Sequence, residues 1–306
     1  MRKSLLCLLL ICYSLVYAQS NALHSFDVTG GVGWSNIGYK LTELQQTGNI
    51  GALFHVGYNF HPVSWMSLGV GLDVECDGAM ARGNLTRTWN SVTDTDGENY
   101  DHSLQLVNWK ERQQLWLLQI PVALQFIIPT EKVSVLFQVG AKYAVKIGAN
   151  VNTNGTTLHT GYYAPWHLTL HDMEQYGFYT ADFRSKNQLK TATDGTWHVF
   201  AKAGVAVPMT SKLYFIANLY ADYSLTNIFK TVDSPAAIGV RNDKEGMQHI
   251  HYFMPDYTSV LDTDIANLES SKLLNVGLEL GIRYVLKTTK HSHSHSKKYP
   301  CRCLMD

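Results

Sequence analysis

Nine ionisable side chains stand at alternate positions inside otherwise apolar stretches: Asp27, Asp73, Glu75, Asp222 and Glu279 against Lys142, Lys146, Lys202 and Arg283. Successive side chains of a strand point to opposite sides, so charges at alternate positions share one face. Five acids against four bases are close to neutral. In a shared interior such groups pair with one another, and they form a lumen charge network rather than catalytic machinery. His55 and His198 fall on the same parities and read as hydrogen-bonding residues of that interior, not as metal ligands.

The remaining reactive residues are scattered. His159, His167, His171, His249 and His251 lie between the apolar stretches. A lipid hydrolase needs a nucleophile, a histidine base and an orienting acid. His171 adjoins Asp172, yet no Gly-x-Ser-x-Gly elbow accompanies them, so these histidines read as polar loop residues. His291, His293 and His295 alternate with serines, and Cys301 and Cys303 follow. Zinc or copper accepts such ligands, but a flexible His-rich tract binds metal weakly without being selected for it. No catalytic residue, metal site or cofactor is therefore expected. Cys76, Cys301 and Cys303 are too few to staple a chain of this length.

Strict alternation defines eight strands. They are predicted over Ser25–Gly38, Gly51–Phe60, Met66–Cys76, Leu115–Ile127, Val133–Gly148, Thr196–Val207, Leu213–Leu225 and Asn275–Tyr284. The last is the clearest. Val276, Leu278, Leu280, Ile282 and Tyr284 share one face, with Asn275, Gly277, Glu279, Gly281 and Arg283 on the other. An apolar face about ten residues long and nearly free of charge suits a tilted strand crossing a bilayer.

The connections sort by length. Three are about five residues each and turn at Pro62, Pro129 and Pro208, while three others are on the order of 35 to 50 residues. Successive antiparallel strands deliver alternate connections to opposite ends. All short turns thus fall at one end and the longer loops at the other, the pattern of a barrel with periplasmic turns and extracellular loops. Greek-key sandwiches do not sort their connections this way. Tyr162–Leu170 also alternates, which leaves a ten-stranded variant open beside the eight-stranded one. The long loops carry Tyr162, Tyr163, Trp166, Tyr176, Phe178, Tyr179, Tyr252, Phe253 and Tyr257. These aromatics either anchor a partner or pack loop against loop as extended hairpins.

At the start of the chain, Arg2 and Lys3 precede the apolar run Leu5–Val16 and the small-residue site before Gln19. Residues 1–18 are read as a secretory signal peptide, 19–286 as the barrel and 287–306 as a flexible periplasmic tail. The balance of 25 basic and 25 acidic groups argues against a nucleic-acid binder, which would need a basic stripe.

Gln119-Ile120-Pro121-Val122-Ala123-Leu124-Gln125-Phe126 resembles the Ile-Pro strand recurrent among small outer-membrane β-barrel proteins of the OmpA-type and porin-like superfamily. Asn275, Gly277, Leu280 and Ile282 resemble that family's last-strand signal for the barrel assembly machinery. The resemblance spans roughly Ser25 to Leu286. It implies a Gram-negative cell outer membrane and contacts with outer-membrane lipid. The family includes adhesins, tethers, small channels and a few lipid-modifying enzymes, so it fixes no activity. The expectation is an all-β, eight-stranded, antiparallel up-and-down transmembrane barrel with long extracellular loops and no enzyme activity. Its loops would meet an extracellular protein or glycan; a small pore and a lipid-modifying enzyme are the alternatives.

Overall fold

In lipid, alternating strands can satisfy their backbone only by pairing edge to edge until no edge is left. The computed structural model describes residues 23–94, 97–231, 238–242, 248–252 and 259–286. The expected leader and tail, with the tail's histidines and cysteines, lie outside them, as do Phe253 and Tyr257. In chain order the strands are β1 (Leu23–Leu41), β2 (Gln45–Val63), β3 (Met66–Thr93), β4 (Asn99–Pro129), β5 (Ser134–Tyr163), β6 (Leu168–Leu170) and β7 (Thr180–Gln188). They continue as β8 (Gly195–Pro208), β9 (Leu213–Ser224), β10 (Ile238–Asn242), β11 (Gln248–Tyr252) and β12 (Ala266–Leu286).

Eight of these strands close a ring in the order β1-β2-β3-β4-β5-β8-β9-β12, each antiparallel to its neighbours. The chain therefore forms an eight-stranded transmembrane β-barrel with long extracellular loops. Tyr162–Leu170 does pair, as β5 with β6, but outside the ring. β7 lies on the extracellular half of β5, and β10 with β11 forms a separate hairpin.

The outer surface carries a belt of exposed apolar side chains, among them Val28, Val32, Phe54, Val122, Val139, Leu219 and Leu278. Exposed aromatics rim it on both sides: Trp34, Trp116, Trp197 and Tyr223 towards the loops, and Phe26, Trp65, Phe126, Phe215 and Tyr284 towards the turns. Aromatic girdles flanking an apolar band mark the two membrane–water interfaces.

Much of the sequence between the predicted strands is itself strand. β3, β4 and β5 run to 28, 31 and 30 residues, well past the belt. Above the belt the polarity of the two faces reverses. Arg82, Lys110 and Arg112 are exposed outside, while Ile37, Tyr39, Leu85, Leu104, Leu106, Trp109 and Leu115 form an apolar interior. Phe229, Val260 and Leu261 from the connections complete that core. Water has replaced lipid as the outer solvent, so the hydrophobic face turns inward.

Depth in the bilayer can be tested directly. Val122 lies midway along the exposed run Trp116–Ile128 of β4, whereas Ile128 ends it. Val122→Arg is expected to cost about 2–4 kcal/mol and Ile128→Arg about 0–1 kcal/mol. Reversible folding into phospholipid vesicles checks the difference, and equal costs would argue against this placement of the belt.

Candidate functional site

The polar face of the ring fills the lumen at belt level. Lys142 on β5 is 2% exposed and reaches three acids. Its Nζ lies 2.7 Å from Asp222, 3.1 Å from Asp73 and 3.9 Å from Glu75. His55 pairs with Asp73, and His198 Nδ1 lies 2.8 Å from Asp222. Lys202 Nζ lies 2.6 Å from Glu279, whose other oxygen accepts from Thr29 at 2.6 Å. Arg283 grips Asp27 through Nε at 2.7 Å and Nη2 at 2.6 Å, and Asn59 donates to the same carboxylate at 2.9 Å. Both ammonium groups lie over the Phe200 ring, Lys142 at 5.0 Å and Lys202 at 5.7 Å from its centre.

Eight of the nine charges singled out in the sequence thus lie in buried ion pairs of the lumen. Lys146 does not join them. Trp116 faces Gly148 and Leu117 faces Lys146, so β5 has one extra residue there. Below this bulge Lys142 and Ala144 point inward; above it Ala149, Val151 and Thr153 do. Lys146 sits at the change of parity, donates to the Ala192 carbonyl at 2.8 Å and pairs with exposed Asp194 at 2.9 Å.

Of the last-strand residues, Asn275 donates to Asp77 at 2.9 Å and also to Glu75, while Leu280 and Ile282 face outward. A Cβ at Gly277 would come within 2.3 Å of the Val32 carbonyl oxygen and 2.8 Å of the Tyr220 ring. Close approach of β1 and Tyr220 to this backbone requires glycine, a structural demand that stands beside the recognition role implied for it.

Thr196 Oγ1 lies 2.9 Å from His198 Nε2, which with Asp222 gives the connectivity of a nucleophile–base–acid relay. All three are buried to 2% exposure or less, so that hydroxyl is closed to a substrate. His167 and His171 are exposed on the loops. His159 is buried with His102, Tyr100, Tyr163, Phe178 and Tyr179 in an aromatic cluster. Burial lowers both imidazoles there to about 4, so they are neutral at physiological pH.

Two buried acids, Asp77 and Glu111, have no counterpart among the residues expected from sequence. Glu111 on β4 accepts from the Val260 amide at 2.9 Å, from Gln113 Nε2 at 2.8 Å and from the Ser259 hydroxyl. It clasps the short 3-10 turn Val260–Asp262, whose Val260 and Leu261 plug the apolar interior. Burial raises its carboxyl to about 7, with the Asp262 charge adding to the rise. The signal that finds it is parity: continuing the inward face of Gln119 and Leu117 back along β4 leads to Leu115, Gln113 and Glu111.

No protein-family model matches the sequence, and no curated protein matches it. Solved structures similar to it include Ail, the attachment invasion locus protein of Yersinia pestis, in complex with the heparin analogue sucrose octasulfate. That protein is 10% identical with a TM-score of 0.29, and the match covers 85% of this chain and 99% of that one. A major outer membrane protein of Thermus thermophilus is 12% identical with a TM-score of 0.34, covering 86% and 99%. The translocator domain of the autotransporter NalP from Neisseria meningitidis is 10% identical with a TM-score of 0.24, covering 86% and 88%. Likeness at this level is too loose to carry a role. The barrel stands on its own strand pairing.

The interior yields two expectations. Lys142→Met would strand Asp73, Glu75 and Asp222 without their shared cation, with an expected cost of about 3–5 kcal/mol. Denaturant titration of the folded barrel in detergent measures it. For Glu111 the folded carboxyl lies above its ordinary value of 4.5, so the docked turn favours the protonated form. Docking is strongest below about pH 4.5 and weakens as pH rises through about 7. Hydrogen exchange at Val260 and Leu261, corrected for intrinsic rates, should accelerate between about pH 5 and pH 8, and Glu111→Gln should flatten that response.

Proposed function

We propose that this chain is a non-enzymatic integral outer-membrane protein whose barrel holds an extracellular platform for recognition, adhesion or envelope contact. The observation that carries the reading is the exposed aromatic cluster at the end of an extension with its own apolar core. Tyr163 and Phe178 are buried in the platform, whereas Tyr162, Trp166, Leu168 and Tyr176 stand exposed beside them. Trp166 stacks on Tyr163 with ring centres 5.5 Å apart, and the Tyr162 hydroxyl lies 3.3 Å from His167 Nδ1. Rigid aromatics that a scaffold holds in water are effective anchors, because little side-chain entropy is lost when a partner covers them. The partner is an extracellular protein or glycan. The OmpA-type relationship, delivery by a cleaved leader and handling by the barrel assembly machinery belong to this same reading.

The pore alternative needs a water path through the lumen. Lys142, Glu75, Asp222 and His198 are each no more than 2% exposed, and Val260 and Leu261 fill the level above them. Planar-bilayer recordings are expected to show no open level comparable to a porin. Cross-linking on intact cells tests the platform itself. The paired substitution Trp166→Ser and Tyr176→Ser should lower partner capture at least about ten-fold while heat-modifiable migration of the barrel stays unchanged. Unchanged capture would remove the aromatic tip from the reading.

A further inference from the structure

The lumen does not end at its ion pairs. At the short-turn end a cavity of about 400 Å³ opens beneath them, bounded by the β2–β3 and β4–β5 turns. Its volume falls within the range of roughly 300–1,000 Å³ found for small-molecule sites. Leu136, Ala206 and Val285 line one part, joined by Ile127 from β4. Leu136 and Ala206 pack with Ile216 in a small apolar cluster separate from the extracellular core. Arg283 and His61 supply polar lining, while Tyr214 packs against the apolar cluster.

The charge at the polar end has a direction. Asp27 is saturated: one oxygen accepts from Arg283 Nε, the other from Arg283 Nη2 and Asn59. It does not line the cavity, whereas Arg283 does. Arg283 is 5% exposed, and its Nη1 has no hydrogen-bond partner among the described residues. His61 spends Nε2 on the Ser25 hydroxyl at 3.0 Å, which leaves Nδ1 unused. The cavity therefore meets the cationic side of the Arg283–Asp27 pair, next to an apolar wall. A guanidinium in such a setting selects a carboxylate or phosphate oxygen.

We propose that the periplasmic mouth of the lumen binds a single-chain amphiphile with an anionic head, a long-chain carboxylate being the simplest. Its chain would lie against Leu136, Ala206 and Val285, and its head would accept from Arg283 Nη1 and His61. The space takes one chain and not a two-chain phospholipid. Nothing in this assignment depends on the extracellular platform.

The test uses the full chain in phosphatidylcholine nanodiscs and a diazirine analogue of dodecanoate, with cross-linked peptides mapped by mass spectrometry. Saturable labelling is expected in the segments 61–64, 127–136, 206–214 and 283–285. Dodecanoate should suppress it at least about ten-fold more effectively than dodecanol or dodecyltrimethylammonium. Ala206→Trp, which fills the cavity, should lower labelling at least about ten-fold. Should that variant not fold, the double change Asp27→Asn with Arg283→Gln keeps a neutral pair and should erase the preference for dodecanoate over dodecanol. Labelling confined to the lipid-facing belt, or equal competition by the alcohol, would overturn the proposal.

Discussion

A β-strand has two faces, and along this barrel the solvent outside one of them changes part-way up. That single constraint organises the molecule. Within the belt the outer face meets hydrocarbon, so Val122, Leu219 and Leu278 point out and the polar complement is driven inside. Beyond the upper girdle the outer face meets water, and the same strands carry Leu104, Leu106 and Trp109 inward. The ring is continuous across the boundary, since β3 and β4 stay paired from Met66–Phe126 to Thr93–Asn99. Backbone pairing is indifferent to the change; side chains are not.

Each level then faces a different energetic problem. In the belt the lumen is too narrow for bulk water, so every charge there needs a partner of opposite sign. Lys142 serves three carboxylates and shares Phe200 with Lys202, which ties β3, β5, β8 and β9 together across the lumen. Removing Lys142, Lys202 or Arg283 leaves buried carboxylates without their cation, so the network resists loss of its bases more than its net stabilisation would suggest. Above it the problem is an ordinary core. The polar clasp there is Glu111, and it holds the turn that closes the plug.

How much of this is legible in the sequence follows the same boundary. Where one face meets lipid, alternation is unbroken, and it yields all eight ring strands and the parity of Asp73, Glu75, Lys142, Asp222 and Glu279. Where the faces exchange roles, the pattern blurs. Around the upper girdle of β4, Leu115 and Leu117 face inward while Trp116 and Leu118 face outward, giving a run that is apolar on both parities. Alternation therefore ends the strands at the membrane boundary and makes the extensions look like loops. Lys146 defeats it for another reason: it stands just before a bulge, where its ammonium leaves the lumen pairs for the Ala192 carbonyl and Asp194, and no residue type announces the bulge. Asp77 and Glu111 escape for the first reason, since each lies just past a strand end that alternation draws too early.

The extension also changes what the loops are. A loop tethered at the lipid surface would owe its conformation to its own sequence. Here the tips sit on paired strands with a filled apolar interior, and Tyr163, Phe178 and His159 root them in it. Exposed Trp166 and Tyr176 are thereby held clear of the headgroups by ordered structure. Ordering entropy that a flexible loop would lose on binding has already been lost in folding, so under the proposed function a partner would meet a preformed surface rather than induce one.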